Sequence, residues 1–286
     1  MPELPEVQGL VDFLDEHLGG LAVESLELAS FTVLKTVDPP PQALAGAPVD
    51  GVHRHGKFLD IDCDGTHMVI HLARAGWIRF SEELPRTMLR PGKSPVALRL
   101  RMSDGSGFDL TEAGTKKSVA AYLVRDVQEV PGVARLGPDP LSPGFTREAF
   151  GELLARRPAQ VKGVLRDQSL IAGVGNAYSD EVLHVARLSP FAHAAKLTDD
   201  EVDVLYEALI TTLTDAVAAA SGKPAQQLKD AKRAGMRVHG RTGEECPVCG
   251  DVVREVSFAD RSLQYCATCQ TGGKVLADRR TSKFLK

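Results

Sequence analysis

Val7, Leu10, Val11, Leu14 and Leu18 recur at i, i+3, i+4 spacing, the stripe of an amphipathic helix at the start of the chain. Pro5 suits its first turn, and Glu6 is well placed at the positive end of the helix dipole. The period then changes to two. Phe58-Leu59-Asp60-Ile61-Asp62-Cys63 alternates, Asp64-Gly65 supplies a turn, and Met68-Val69-Ile70-His71-Leu72 resumes, so a hairpin is expected. Val96 to Met102, turning at Asp104-Gly105 into Phe108-Asp109-Leu110, predicts a second. Residues 1–130 therefore read as a leading helix and an antiparallel β-sandwich.

Pro131, Gly132, Pro138, Pro140, Pro143 and Gly144 break all periodicity over 131–145, which marks a linker. Helical spacing follows. Phe150, Leu153 and Leu154 form one stripe, and Thr198 with Glu201 makes a capping box that opens a helix through Val202, Leu205, Leu209, Leu213 and Val217, ended by Gly222. The class is thus α+β multidomain, with a helical domain over 146–235 and a separate terminal region over 236–286.

Composition adds little until charge is located. The chain of 286 residues carries a net charge of −4, unpromising for a polyanion partner. From Gly222 onward, however, 13 Lys+Arg face 7 Asp+Glu, whereas residues 1–221 hold 21 against 31. Such segregation points to nucleic-acid contact by the basic part, or to a solvated basic tail. No run approaches the roughly 18 to 20 apolar residues of a membrane helix, and no basic segment precedes an apolar one at the N-terminus, so a cytoplasmic protein without membrane association is expected.

Four of the five cysteines form Cys246-Pro-Val-Cys249 and Cys266-Ala-Thr-Cys269, with sixteen residues between the pairs. Each two-residue gap lets both thiolates of a knuckle reach one metal ion, so the four together predict a closed structural Zn²⁺ site. Cys63, in an apolar strand, reads as a buried small hydrophobe.

Two further segments carry candidate chemistry. Ala172-Gly173-Val174-Gly175-Asn176 is a Gly-rich turn in which Asn176 can cap the helix that follows. Free N–H groups and the helix dipole suit a phosphate there, although an ordinary helix connection reads the same way. Met1-Pro2-Glu3 is the other. Once Met1 is trimmed, Pro2 presents a secondary amine titrating near about 7.7 to 8.0, able to attack an aldehyde and form an iminium ion, with Glu3 for proton transfer. Taken alone, the segment reads first as a helix start.

The joint occurrence of Pro2-Glu3-Leu4-Pro5-Glu6-Val7, Gly173-Val174-Gly175-Asn176 and the paired knuckles resembles the formamidopyrimidine-DNA glycosylase and endonuclease VIII family. Lys57 after His53-Arg54-His55-Gly56, Ile70-His71-Leu72, Leu136-Gly137-Pro138-Asp139-Pro140-Leu141, Val238-His239-Gly240-Arg241 and Arg261 agree with it. The resemblance implies a helix-two-turn-helix domain, a zinc β-hairpin, and a bifunctional base-excision glycosylase and abasic-site lyase, bacterial, nucleoid-associated and monomeric. Its partner is damaged DNA, double-stranded or also single-stranded. By the same resemblance Pro2 is the nucleophile, Glu3 the acid/base, Glu6 a supporting carboxylate, and Lys57 belongs to the catalytic set. His71, Lys162, Asn176 and Arg261 fall among the DNA-binding positions with Lys57, and Glu181 matches a further acidic position.

The chain departs from the family pattern in three places. Where relatives commonly wedge an apolar residue, then an Arg and a Phe, into the space left by an everted base, this chain has Arg74 and the loop Thr111-Glu112-Ala113-Gly114-Thr115-Lys116-Lys117-Ser118. Lys116 and Lys117 can still meet phosphate, and Arg74 can stack. Only seven residues separate Asp230 from Val238, shorter than the loop of oxidised-purine enzymes, which favours oxidised pyrimidines, ring-opened purines or abasic sites. The tail after Cys269 adds Lys274, Arg279, Arg280, Lys283 and Lys286, for backbone contact or for solubility. Two other classes compete: a lesion-binding member without efficient base excision, and a zinc-ribbon transcription factor, which only the cysteines support.

Overall fold

The computed structural model of the chain describes residues 1–30, 32–90, 92, 95–258 and 261–277. The chain forms two compact units, Met1–Leu136 with Ala219–Lys229, and Gly137–Ala218 with Asp230–Lys286.

In the first unit, α1 (Leu4–Leu18) buries the expected stripe, with Val7, Leu10, Leu14 and Leu18 wholly excluded from solvent. Eight antiparallel strands follow: β1 (Val23–Leu28), β2 (Val49–His55), β3 (Phe58–Cys63), β4 (Thr66–His71), β5 (Gly76–Ser81), β6 (Val96–Met102), β7 (Gly107–Glu112) and β8 (Ala120–Val124). They make two sheets, ordered β1-β6-β7-β5 and β2-β3-β4-β8. Leu98, Leu100, Phe108 and Leu110 of one sheet share a core with Leu59, Ile61, Met68 and Ile70 of the other and with α1. The sandwich follows from the period-two pattern, and burying these side chains is its main source of stability.

The β3–β4 hairpin turns where expected, with Asp64 at φ +50° and Gly65 at +73°, the twist that two-residue hairpins favour. Alternation misleads at one position. Asp60 should face water but is 1% exposed, because its two oxygens each lie 3.1 Å from a ring nitrogen, His55 Nε2 and His67 Nδ1, across the three neighbouring strands.

Residues 219–229 pack with this unit although they continue a helical sequence. Trp77 Nε1 donates to the Ala225 carbonyl at 3.0 Å, and the Lys229 ammonium sits 4.5 Å from the Trp77 ring centroid. Gly9 makes room for the segment, since a Cβ there would lie 2.9 Å from Leu228 Cδ2.

The second unit begins with proline-rich turns and α2 (Arg147–Ala155), whose first turn is capped by Thr146 Oγ1 accepting from the Ala149 N–H at 3.2 Å. Then come α3 (Val161–Arg166), α4 (Asn176–Val185), α5 (Asp199–Ala220) and α6 (Leu228–Gly235), the last two reaching across the unit boundary in sequence. Thr198 and Glu201 make both bonds of the expected capping box before α5. The unit ends in an antiparallel hairpin, β9 (Val253–Ser257) and β10 (Ser262–Cys266), followed by the single turn α7 (Ala267–Thr271).

Candidate active site and zinc centre

Of the candidates of the first unit, Pro2, Glu3 and Glu6 lie at the start of α1, Lys57 in the β2–β3 turn and His71 at the end of β4. Pro2, Glu3 and Glu6 are buried, whereas Met1 is half exposed. Glu6 Oε2 accepts the Glu3 backbone N–H at 2.9 Å, part of a capping box between the two residues. The Glu6 carboxylate therefore fixes the backbone that carries Pro2 and Glu3.

Lys57 occupies the β2–β3 turn after Gly56, whose φ of +57° lies in the left-handed region that glycine tolerates. It is 7% exposed. The hairpin is tied to α1 by Arg54 Nε donating to Gln8 Oε1 at 2.8 Å. His71 ends β4 against the Phe58 ring, with centroids 4.7 Å apart. Burial first, and the nearby Lys57 charge second, push its imidazole down to about 4. At neutral pH His71 can thus offer a phosphate one N–H but no positive charge.

Arg74 is exposed, and the chain reaches it through Ala73 at φ +51°, an uncommon conformation for a residue with a Cβ. Lys116 and Lys117 lie on an exposed loop over 113–118. Its base is closed by Glu112, 2% exposed, whose Oε1 accepts from Ser118 N at 2.7 Å, Ser118 Oγ at 3.2 Å and Val119 N at 3.1 Å. Lys117 Nζ turns back to the Glu112 carbonyl at 2.5 Å.

In the second unit the Gly-rich turn has its own brace. Gln168 donates through Nε2 to the Val174 carbonyl at 2.6 Å and accepts the Gly173 N–H at 3.0 Å, with Gly173 at φ +87°. The residue capping α4 is Gly175, not the expected Asn176. Asn176 stands one position inside the helix and sends Nδ2 to the Ser262 carbonyl at 2.8 Å, beside Arg261, while its buried Oδ1 has no partner. A residue already in the helix cannot reach the N–H groups a cap satisfies.

Two acidic or basic candidates on this unit are engaged inside it. Lys162 is 5% exposed, and its ammonium donates to Asp180 Oδ1 at 2.6 Å, Ser179 Oγ at 2.7 Å and the Asn176 carbonyl at 3.1 Å. The ammonium that the resemblance assigns to DNA binding is thus held by groups of the protein itself. Glu181, 3% exposed, accepts the backbone N–H groups of Arg237, Val238 and His239 at 2.7, 3.0 and 2.7 Å. Burial raises its carboxyl above the usual range, and the three N–H groups oppose the rise. Asp180 also receives His239 Nδ1 at 2.7 Å. Asp180, Ser179 and Gln168 were not singled out from sequence, and Glu112 and His239 were named only within their motifs, with no role. The available signal was the run Ser179-Asp180-Glu181 on an otherwise apolar helix.

The four knuckle cysteines converge, all four sulfurs lying within 4.8 Å of one another. Cys246 and Cys269 Sγ are 3.8 Å apart, and Cys249 and Cys266 3.4 Å, far beyond a disulfide length. Burial pushes the Cys266 thiol up to about 11 and raises Cys269 further. Crowded, unbonded sulfurs held in this arrangement fit one tetrahedral Zn²⁺, which takes all four as thiolates. Arg261 is exposed on the turn between β9 and β10, with its guanidinium carbon 5.8 Å from the Phe258 ring centroid. Of the basic tail, Lys274 is exposed, and Arg279, Arg280, Lys283 and Lys286 lie outside the described residues. Cys63 is buried as expected, its thiol pushed up to about 12, chiefly by burial.

Three family models match in order: the formamidopyrimidine-DNA glycosylase N-terminal domain over residues 1–117, the formamidopyrimidine-DNA glycosylase H2TH domain over 136–227, and the zinc finger found in FPG and IleRS over 243–272. A formamidopyrimidine-DNA glycosylase of Symbiobacterium thermophilum is 34% identical over 98% of this chain and 93% of its own length. The chain belongs to the formamidopyrimidine-DNA glycosylase family. An uncharacterized formamidopyrimidine-DNA glycosylase-like protein of Mycobacterium tuberculosis is 57% identical over 151 residues, 53% of this chain and 94% of that protein. The crystal structure of the Lactococcus lactis glycosylase, bound noncovalently to DNA with an AP site, superposes with a TM-score of 0.80 at 26% identity, covering 94% of this chain and 99% of that one.

Membership distributes the candidates over the family's three parts. Pro2, Glu3, Glu6, Lys57, His71, Arg74, Lys116 and Lys117 fall in the N-terminal domain, and Lys162, Asn176 and Glu181 in the H2TH domain. Arg261 and the four cysteines fall in the zinc finger. No helix among the described residues is long and apolar enough to cross a membrane.

Proposed function

We propose that this glycosylase-family chain is a bifunctional base-excision enzyme that removes a damaged base and cleaves the strand at the abasic site. The observation that carries it is the buried Pro2-Glu3 pair at the head of α1, braced by Glu6. With Met1 removed, the Pro2 nitrogen attacks C1′ while the bond from C1′ to the base breaks, and the proton of the amine passes to the departing base. Glu3 protonates the ring oxygen as the sugar opens, leaving an iminium between Pro2 and C1′. That cation acidifies the C2′ proton, whose loss expels the 3′ phosphate. A second proton loss, from C4′, expels the 5′ phosphate, and water then releases the enzyme.

DNA binding in this reading uses Lys57, His71, Asn176 and Arg261 on phosphates, with Arg74 and Lys116 beside the everted nucleotide. Eversion is needed because C1′ is shielded in the stack. Lys162 and Glu181 serve by holding α4 and the 237–239 backbone. The solved Lactococcus lactis relative holds AP-site DNA, which accords with this substrate class. The short segment between Asp230 and Val238 favours oxidised pyrimidines, ring-opened purines and abasic sites over 8-oxoguanine. A cytoplasmic, nucleoid-associated monomer fits such a task.

Because of the polar Arg74 wedge, a second reading is a member that binds lesions with poor base excision. Borohydride with abasic DNA tests the lyase. Met-trimmed protein should form a covalent adduct and Pro2→Gly much less, whereas no adduct from the wild type would overturn the proposal. Cleavage of duplexes carrying intact oxidised bases separates the two readings.

A further inference from the structure

One titratable side chain that touches a zinc ligand, His184, is not part of any motif. His184, on the last turn of α4, is 2% exposed, and its Nε2 lies 3.2 Å from Cys246 Sγ, itself 2% exposed. The other ring nitrogen, Nδ1, is buried without a hydrogen-bond partner. Among the described residues the metal-spaced group comprises only the four cysteines. His184 therefore stands outside a complete tetrahedral set, against one of its sulfurs.

We infer that His184 is a positioning residue of the zinc centre, donating Nε2–H to the Cys246 thiolate. The direction of the bond follows from the chemistry. A zinc-bound thiolate carries no proton, so the contact is a hydrogen bond only if the imidazole supplies one, and a neutral ring with its proton on Nε2 has none on Nδ1. The bare Nδ1 agrees with that tautomer, in which it carries a lone pair and no proton to donate. Four thiolates on one Zn²⁺ leave a net charge of −2, which an N–H donated to the buried Cys246 offsets.

The contact also gives α4 a mechanical role. Near its first turn Asn176 bonds Ser262 in β10, in its middle Glu181 holds the backbone of 237–239, and at its end His184 holds Cys246. One helix thereby fixes three points of the metal-bearing segment, and with them the hairpin turn that presents Arg261. The histidine would thus keep the zinc affinity and the hairpin pose together.

Two variants of the full chain test this: His184→Phe, which keeps a ring of similar bulk without a donor, and His184→Gln, which retains an N–H. Competition with a chromophoric chelator should show zinc held ten- to a hundred-fold less tightly in the Phe variant and close to wild type in the Gln variant. In cobalt-substituted protein the sulfur-to-metal charge-transfer band should move to longer wavelength in the Phe variant only. In zinc-loaded wild type, ¹⁵N spectra of the imidazole should show the proton on Nε2. A proton on Nδ1, or equal zinc affinity and an unmoved band in a folded Phe variant, overturns the proposal. Should the Phe variant fail to fold, the wild-type tautomer decides.

Discussion

Lys162 Nζ lies 2.6 Å from Asp180 Oδ1, with the two side chains only 6% and 0% exposed. Such a pair is weak evidence of net stabilisation, but breaking it is costly because one charge is left buried alone. Lys162→Ala should lower unfolding free energy by about 3–5 kcal/mol, read by denaturant titration. Adding Asp180→Asn should recover a large part, since the orphaned charge is then gone. A Lys162→Ala protein as stable as wild type, with only weakened DNA binding, would return Lys162 to the DNA contact expected from sequence.

His71 makes stability depend on pH in a defined direction. Its folded value is pushed down to about 4, against an ordinary 6.5 in the unfolded chain. Between those values the unfolded state binds the extra proton, so stability falls as pH drops from 6.5 toward 4 and levels below it. The contribution is fully present above 6.5. His71→Asn should flatten that part of a stability curve measured by urea titration from pH 7 to 4, and an unchanged curve would contradict a buried neutral imidazole.

Much of this was legible because local patterns coincided with tertiary demands. The α1 stripe, the Asp64-Gly65 turn and the Thr198/Glu201 box each appear where periodicity and turn chemistry put them. The knuckle cysteines were legible for a different reason: ligand spacing is a covalent constraint and survives any fold. What sequence hid were polar groups satisfied by distant partners. Asp60 alternates like a surface residue but is buried between two histidines. Lys162 reads as a DNA-contacting cation, and the sequence does not show that Asp180, eighteen positions on, binds it. Asn176 looked like a cap because Gly175 leaves no side-chain signature of its own.

Metal loss should act on DNA binding through the hairpin. Arg261 sits on the turn joining β9 and β10, and β10 ends in the ligand Cys266. Zinc binding in such a segment is part of its folding free energy. Elemental analysis should find about one zinc per chain, and Cys249→Ser should lose both the metal and most of the DNA affinity. Cys249 is the exposed ligand, so its substitution disturbs packing least. Zinc-free protein that binds abasic DNA normally would defeat the link.

The charge states of the proposed phosphate contacts can be separated by salt. Each cation that neutralises a phosphate adds about 0.9 to the slope of log K against log salt. Arg261 and Lys116 are exposed cations, so Arg261→Ala and Lys116→Ala should each reduce the slope by about one while leaving stability nearly unchanged. His71 is held neutral by burial and by Lys57. His71→Asn should therefore weaken binding at neutral pH with the slope unaltered, because it loses a hydrogen bond and no released counterion. Measured by fluorescence anisotropy on one abasic duplex across a salt series, a slope that falls for His71→Asn as it does for Arg261→Ala would show that DNA protonates the imidazole. The phosphate would then have raised it from about 4 into the neutral range.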